Sequence, residues 1–239
     1  MNTENIKRKL ELNRIPYHDD LPEKLRIYHT LLNEWNRRMD LTAVADDEET
    51  VDKHFIDSLT VLKTGLIKEG KALIDVGTGA GFPGMVLAMA RTDLQVTLMD
   101  SQMKRLSFLE TVSHETDIRN ISIIHARAED GAHRPELREQ FDYAAARALA
   151  PLNVLCEYLL PYVRTEGYAL CWKGPALKKE MESGRKAAHL LGGMLEMPEL
   201  CEVEGRDWIH MILPVRKVQH TDAAYPRKAG IPKSKPLGI

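Results

Sequence analysis

The sequence predicts an α/β fold, a parallel sheet covered by helices, with a helical extension before it and a basic tail after it. Three observations carry that expectation. From residue 71 onward, strand-like runs alternate with helical segments, the pattern of parallel strands joined by helical crossovers. The first strand and helix are joined by a glycine-rich loop, "DVGTGAGFPG". The first 65 residues show instead the three- and four-residue spacing of amphipathic helices. The boundaries read as 1–65 for the extension, 66–217 for the sheet domain and 218–239 for the tail.

In the extension, "LPEKLRIYHTLLNEWNRRM" sets Leu21, Leu25, Tyr28, Leu31, Leu32 and Trp35 on one helical face, with Pro22 suited to the first turn. A second amphipathic stretch carries Val51, Phe55, Leu59 and Leu62. Its acidic start, Asp46 to Glu49, suits a helix N-terminus or serves as a solvated face. Strands are expected at Ala72–Val76, Val96–Met99, Ile121–His125, Phe141–Ala145 and Tyr168–Trp172, with helices at 84–91 and 103–115. "GRKAAHLLGGMLEM" reads as a helix running into an irregular segment, and "DWIHMILPV" as a further strand. From Arg216 to Ile239 there are six basic residues against one acid, with three prolines. Such a tail is either a disordered solubilising segment or a phosphate-binding arm.

Composition narrows the class. The 239 residues are 44% hydrophobic and 28% charged, ordinary for a globular protein with a substantial core. A net charge of −2 means that any nucleic-acid contact must come from local patches. Cys156, Cys171 and Cys201 lack metal-ligand spacing and read as buried thiols, so no metal site is expected. No apolar run is long enough to span a membrane, and "MNTENIKRKL" has no apolar signal core, so a cytoplasmic protein is expected.

Gly77, Gly79 and Gly81 follow the first strand and let a ligand approach the main chain; Phe82-Pro83 then opens a helix. Two registers compete. Gly79-x-Gly81-x-x-Gly84, with Asp100 at the next strand's end, fits a dinucleotide loop and an NAD enzyme. Asp75-x-Gly77-x-Gly79-x-Gly81 fits a loop for S-adenosylmethionine, whose cationic amino-acid end an acid can help to hold. Beside a pyrophosphate, Asp75 would repel. Asp100 can accept both ribose hydroxyls or cap the following helix. Ala128 and Glu129, after the third strand, lie where an adenine would cross the strand ends.

Several segments together resemble the glucose-inhibited division protein B family, small-subunit rRNA guanine-N7 methyltransferases. They are "MDLTAV", "HFIDSL", "LIDVGTGAGFPG", "LMDSQMKRLSFLE", "ARAED", "FDYAAARALAPL", "CWKG" and "YPRKAGIPKSKPL", spanning roughly residues 34 to 237. Asp40 departs from the family's usual Asn. The resemblance implies a Rossmann-like, seven-stranded S-adenosylmethionine-dependent methyltransferase fold with an N-terminal helical extension. It implies 16S rRNA, within the small ribosomal subunit, as acceptor. Cofactor contacts carry over to Gly77, Phe82, Ala128, Glu129 and Arg147; a monomer is the default state.

Guanine N7 has a free lone pair, so its methylation needs alignment and no general base. Arg147, at a strand's carboxyl end, is then expected to hold a phosphate or guanine O6, or else to pair with Glu129 or Asp142. Lys173 is a second candidate for a phosphate, or an ordinary exposed lysine. His54, Asp57 and Ser58 share one helical face and are expected to pin the extension over the loop. Lys7, Arg8, Lys9, Arg14, Arg37, Arg38, Lys104, Arg105 and the tail are the candidate basic surface. The rivals are a small-molecule methyltransferase and an NAD-linked oxidoreductase.

Overall fold

The computed structural model describes residues 1–39, 41 and 47–239, and the alternation is there. Strands β1 (Ala72–Val76), β2 (Gln95–Asp100), β3 (Ile121–His125), β4 (Phe141–Arg147) and β5 (Val163–Lys173) are parallel, in the order β3-β2-β1-β4-β5. Strand β8 (His210–Lys217) runs antiparallel beside β5, Tyr168 facing Arg216 and Lys173 facing Met211. Beyond it, β6 (Gly193–Leu195) and β7 (Glu199–Cys201) both pair with β8. The described sheet thus has eight strands, two of which share the seventh position.

Pro214 accounts for that division. A residue in an antiparallel strand turns its N–H and C=O toward the same neighbour. The Pro214 carbonyl accepts from Glu196 N at 2.9 Å, so its missing N–H faces the break between β6 and β7. The segment read as irregular after residue 190 is therefore an edge strand, interrupted where its partner has no donor.

Alternation along the strands sends side chains to two cores. Leu73, Ala145 and Leu170 face α1 (Thr3–Leu12), α2 (Leu21–Met39), α5 (Gly84–Ala90) and α6 (Met103–Glu115). Ile74, Ala144 and Ala169 face α8 (Leu152–Leu159) and α9 (Leu177–Leu190). In the extension, Asn2 caps α1 by accepting from Asn5 N at 2.9 Å. Leu21, Leu25, Tyr28 and Leu32 are buried on α2, while Leu31 and Trp35 are partly so. Asp40 and Asp46, which the sequence reading singled out, lie outside the described residues.

The second amphipathic stretch is not one regular helix. It runs through α3 (Asp47–Thr50), a π-helical turn (Val51–Ile56), α4 (Asp57–Leu59) and a 3₁₀ turn (Thr60–Lys63). Val51, Phe55 and Leu59 are buried as expected. The π turn is fastened by Asp52, whose carboxylate takes Lys9 Nζ at 2.8 Å and Arg206 Nε at 2.8 Å. Between β3 and β4 lies the short α7 (Ala128–Gly131).

The tail is no disordered appendage. Arg227 donates to buried Glu157 on α8 through its N (2.8 Å), Nε (2.9 Å) and NH2 (2.6 Å). Arg138 donates to the Thr221, Asp222 and Tyr225 carbonyls, and Asn153 to the Leu237 carbonyl. The chain forms the short α10 (Ile231–Ser234) on the way. Among the described residues, no helix is long and apolar enough to cross a membrane.

Candidate active site

The glycine loop leaves β1 with Gly77, Gly79 and Gly81 at φ +71°, +60° and +98°, a region that side-chain-bearing residues rarely adopt. Asp75 ties its two ends together. Its Oδ2 accepts from Thr78 Oγ1 at 2.7 Å and from Gly84 N at 2.8 Å, while its buried Oδ1 has no partner. Burial pushes this carboxyl up to about 6. Asp100 fixes the middle of the loop, accepting from Gly79 N at 2.9 Å through Oδ2 and from Gln102 N at 2.8 Å through Oδ1. It therefore serves both the loop and the start of α6. From α2, the Tyr28 hydroxyl donates to the Ala80 carbonyl, clamping the extension onto the loop.

A cavity of about 350 Å³ opens at the carboxyl ends of β1–β3. It gathers four of the expected cofactor positions, Gly77, Asp100, Ala128 and Glu129, with Leu149 and Tyr158. Asp75, Gly79, Gly81 and Phe82 do not line it. The first three build the loop beneath it, and Phe82 lies elsewhere. Its ring stacks on His54 (centroids 4.8 Å apart) and on Tyr28 (5.5 Å), with the Arg147 guanidinium 5.1 Å above it.

A second cavity, of about 330 Å³, lies beside β4 and β5 and holds His54, Asp57, Arg147, Trp172, Lys173 and His210. Arg147 is at its centre. NH1 donates to the Lys53 carbonyl (2.8 Å) and to Asp57 Oδ2 (3.1 Å), and NH2 donates to His54 Nδ1 (3.0 Å). Asp57 Oδ1 takes His210 Nδ1 at 2.7 Å. The alternative partners expected for Arg147, Glu129 and Asp142, are not its partners; Asp57, from the extension, is. Burial, then the Arg147 charge, holds His54 down to about 3, so its ring is neutral at physiological pH. With Nδ1 accepting, Nε2 carries the proton. Ser58 turns away and donates to the His54 carbonyl.

Lys173 is not an ordinary exposed lysine. Its ammonium pairs with Glu180 at 2.6 Å, donates to the Ala150 carbonyl at 3.2 Å, and the side chain is 9% exposed. The two cavities share a wall, the segment after β4. Ala148 sits there at φ +54°, a left-handed conformation uncommon outside glycine. That turn puts Arg147 in one cavity and Leu149 in the other.

Sequence reasoning missed Leu149, Tyr158 and His210, and took Tyr28 for core alone. Only Tyr28 had a signal, a polar tip on an apolar face. The basic surface is smaller than the count of cations suggested. Lys9, Arg216, Lys217 and Arg227 are committed to Asp52, Glu196, Glu139 and Glu157. Lys7, Arg8, Arg14, Arg37, Arg38, Lys104, Lys228, Lys233 and Lys235 are exposed.

A mostly parallel sheet covered by helices on both faces is a Rossmann-like fold. The crystal structure of a SAM dependent methyltransferase from Aquifex aeolicus shares this fold, with a TM-score of 0.51, 20% identity, and coverage of 71% of this chain and 94% of that one. The family model for GidB, rRNA small subunit methyltransferase G, matches residues 21–207. The Clostridium botulinum (strain Eklund 17B) ribosomal RNA small subunit methyltransferase G is 46% identical over 230 residues, covering 95% of this chain and 93% of its own. The Clostridium perfringens (strain 13) protein of the same name is 44% identical over 221 residues, covering 92% of each. The chain belongs to the rRNA small subunit methyltransferase G family.

Proposed function

We propose that the protein transfers a methyl group from S-adenosylmethionine to N7 of a guanine in 16S rRNA, in the cytoplasm and as a monomer. The observation that carries this is the pair of cavities meeting at Ala148, one lined by Gly77, Asp100, Ala128 and Glu129 and one holding Arg147. The residues of the first cavity fit this donor. Asp75, with an unpartnered buried oxygen, lies beneath the loop, and Asp100 and Glu129 line the cavity; carboxylates so placed suit a cationic ligand and oppose a pyrophosphate. Asp100 would hold the ribose, Ala128 the adenine edge, and the Gly77–Gly81 backbone the amino-acid end. When bound, the donor supplies a methyl group on a sulfonium.

The second cavity would hold the acceptor base. Guanine N7 would bring its own lone pair to the methyl group that the bound donor supplies, so the residues around it have only to align the two. No proton has to leave N7. The side chains around Arg147 agree with chemistry by placement: His54 is neutral with Nδ1 occupied, and Asp57 is held by two partners. Arg147 is held at three points, so its guanidinium is pre-aimed for guanine O6 or a neighbouring phosphate. Lys173 would reach a phosphate by exchanging it for Glu180.

The test is methyl transfer from labelled S-adenosylmethionine to small subunits from cells lacking the protein, with naked rRNA in parallel. Label recovered as 7-methylguanosine is expected. Label in another nucleoside, or transfer only to small molecules, would overturn the acceptor assignment.

A further inference from the structure

The cavity under the glycine loop has a wall that comes from the opposite end of the chain. Gly230 and Lys233 line it, facing Asp100 and Ala128. Gly230 N donates to Glu129 Oε1 at 2.9 Å, and the Tyr158 hydroxyl also bonds to Glu129, which is 7% exposed. The carboxylate placed by its position to read an adenine amine is thus already engaged with the tail. The tail is held there by anchors outside the cavity: Arg227 on Glu157, His133 on the Pro226 carbonyl (2.8 Å), and Asn153 on the Leu237 carbonyl (2.8 Å). Gly238 packs so closely on the Ser183 carbonyl that a Cβ there would collide.

We propose that the C-terminal strap, residues 227–239, is part of the donor site, with Lys233 a cofactor contact and Glu129 the latch that holds Gly230 in place. This rests on the S-adenosylmethionine reading above. Adenine offers unprotonated ring nitrogens as acceptors, and ribose offers its oxygens. An ammonium with three donors meets these acceptors, while Asp100 takes the ribose hydroxyl protons. Lys233 is exposed and makes no described ion pair, so its donors are available to a ligand. Glu129, with Oε1 taken by Gly230 N, also acts on the ligand through the strap's position. A ligand bound in this cavity therefore touches the strap, and binding and strap order rise together.

The probe is S-adenosylhomocysteine. Its dissociation constant is measured by calorimetry for the full chain, for Lys233→Ala, and for a variant ending at Lys228, which keeps the Arg227–Glu157 pair. Lys233→Ala is expected to weaken binding about fivefold, as for one lost hydrogen bond, and the shortened chain by tenfold or more. In the full chain, the same ligand is expected to slow tryptic cleavage after Lys228 and Lys233. If the shortened variant fails to fold, Lys233→Ala and the cleavage rates carry the test. Unchanged affinity in Lys233→Ala together with unchanged cleavage would overturn the strap's role while leaving the donor site standing. No binding to the full chain would overturn the donor reading and the strap with it.

Discussion

Arg147→Ala separates what this arginine holds together from what it does. The substitution leaves Asp57, whose side chain is 0% exposed, with His210 as its remaining described side-chain partner. Breaking a buried pair costs about 3–5 kcal/mol, and the retained His210 contact puts this case near 3 kcal/mol. For a chain of this length, that is a fall in Tm of about 6–12 °C. Adding Asp57→Asn removes the stranded charge, while its amide oxygen still accepts from His210. The double variant is expected to recover at least half of the lost Tm. Turnover on small subunits is expected to stay down by about a hundredfold in both variants, because the aimed guanidinium is gone. S-adenosylhomocysteine affinity should change little, since Arg147 lines the second cavity and not the first. The assays are thermal unfolding, calorimetry and methyl transfer on the same preparations. A double variant that regained full turnover along with its stability would refute the functional role and leave Arg147 a strut.

Three further predictions follow from the same geometry. Asp75 holds its proton up to about 6 when folded, against 3.8 for an aspartate free in water. Its contribution to stability therefore falls as pH rises from 4 to 6, a cost of about 3 kcal/mol above that range. Asp75→Asn should raise Tm at pH 8 yet weaken S-adenosylhomocysteine binding; a lowered Tm would contradict the burial penalty. His54, held down to about 3 against 6.5, works in the opposite sense: stability is full above pH 6.5 and declines by about 1.4 kcal/mol per unit as pH falls toward 3. An NMR titration of His54 near 6.5 would refute this. In Gly81→Ala, the new Cβ meets the Tyr28 hydroxyl, Leu109 (2.8 Å) and Met85 (2.9 Å) at φ +98°. A loss of about 2–4 kcal/mol is expected from urea unfolding, and an unshifted midpoint would show that the clamp has slack.

The parts of this molecule that could be read from the sequence are those with a local period. Strands buried on both faces, such as β1, β2 and β4, appear as short apolar runs, and β3, β5 and β8 keep enough of the pattern to be legible as well. The glycine loop was legible because its backbone angles exclude other residues. Strands β6 and β7 were not, since three residues make no period and the break depends on a proline in a different strand. The π turn was not legible either; it is pinned by Lys9 and Arg206, which lie far from Asp52 in sequence. At the site, His54 and Arg147 were singled out separately, but nothing local links residues 93 positions apart. The tail misled most. Its prolines and glycines erase periodicity, and its order comes from hydrogen bonds to Glu157, Arg138 and Asn153, far away in sequence.

The left-handed turn at Ala148 is also the partition between the two cavities. Arg147 lines one and Leu149 the other, so the wall is a single residue wide there. A substitution that relaxes this turn alters both linings at once, and neither cavity can be reshaped at this point alone.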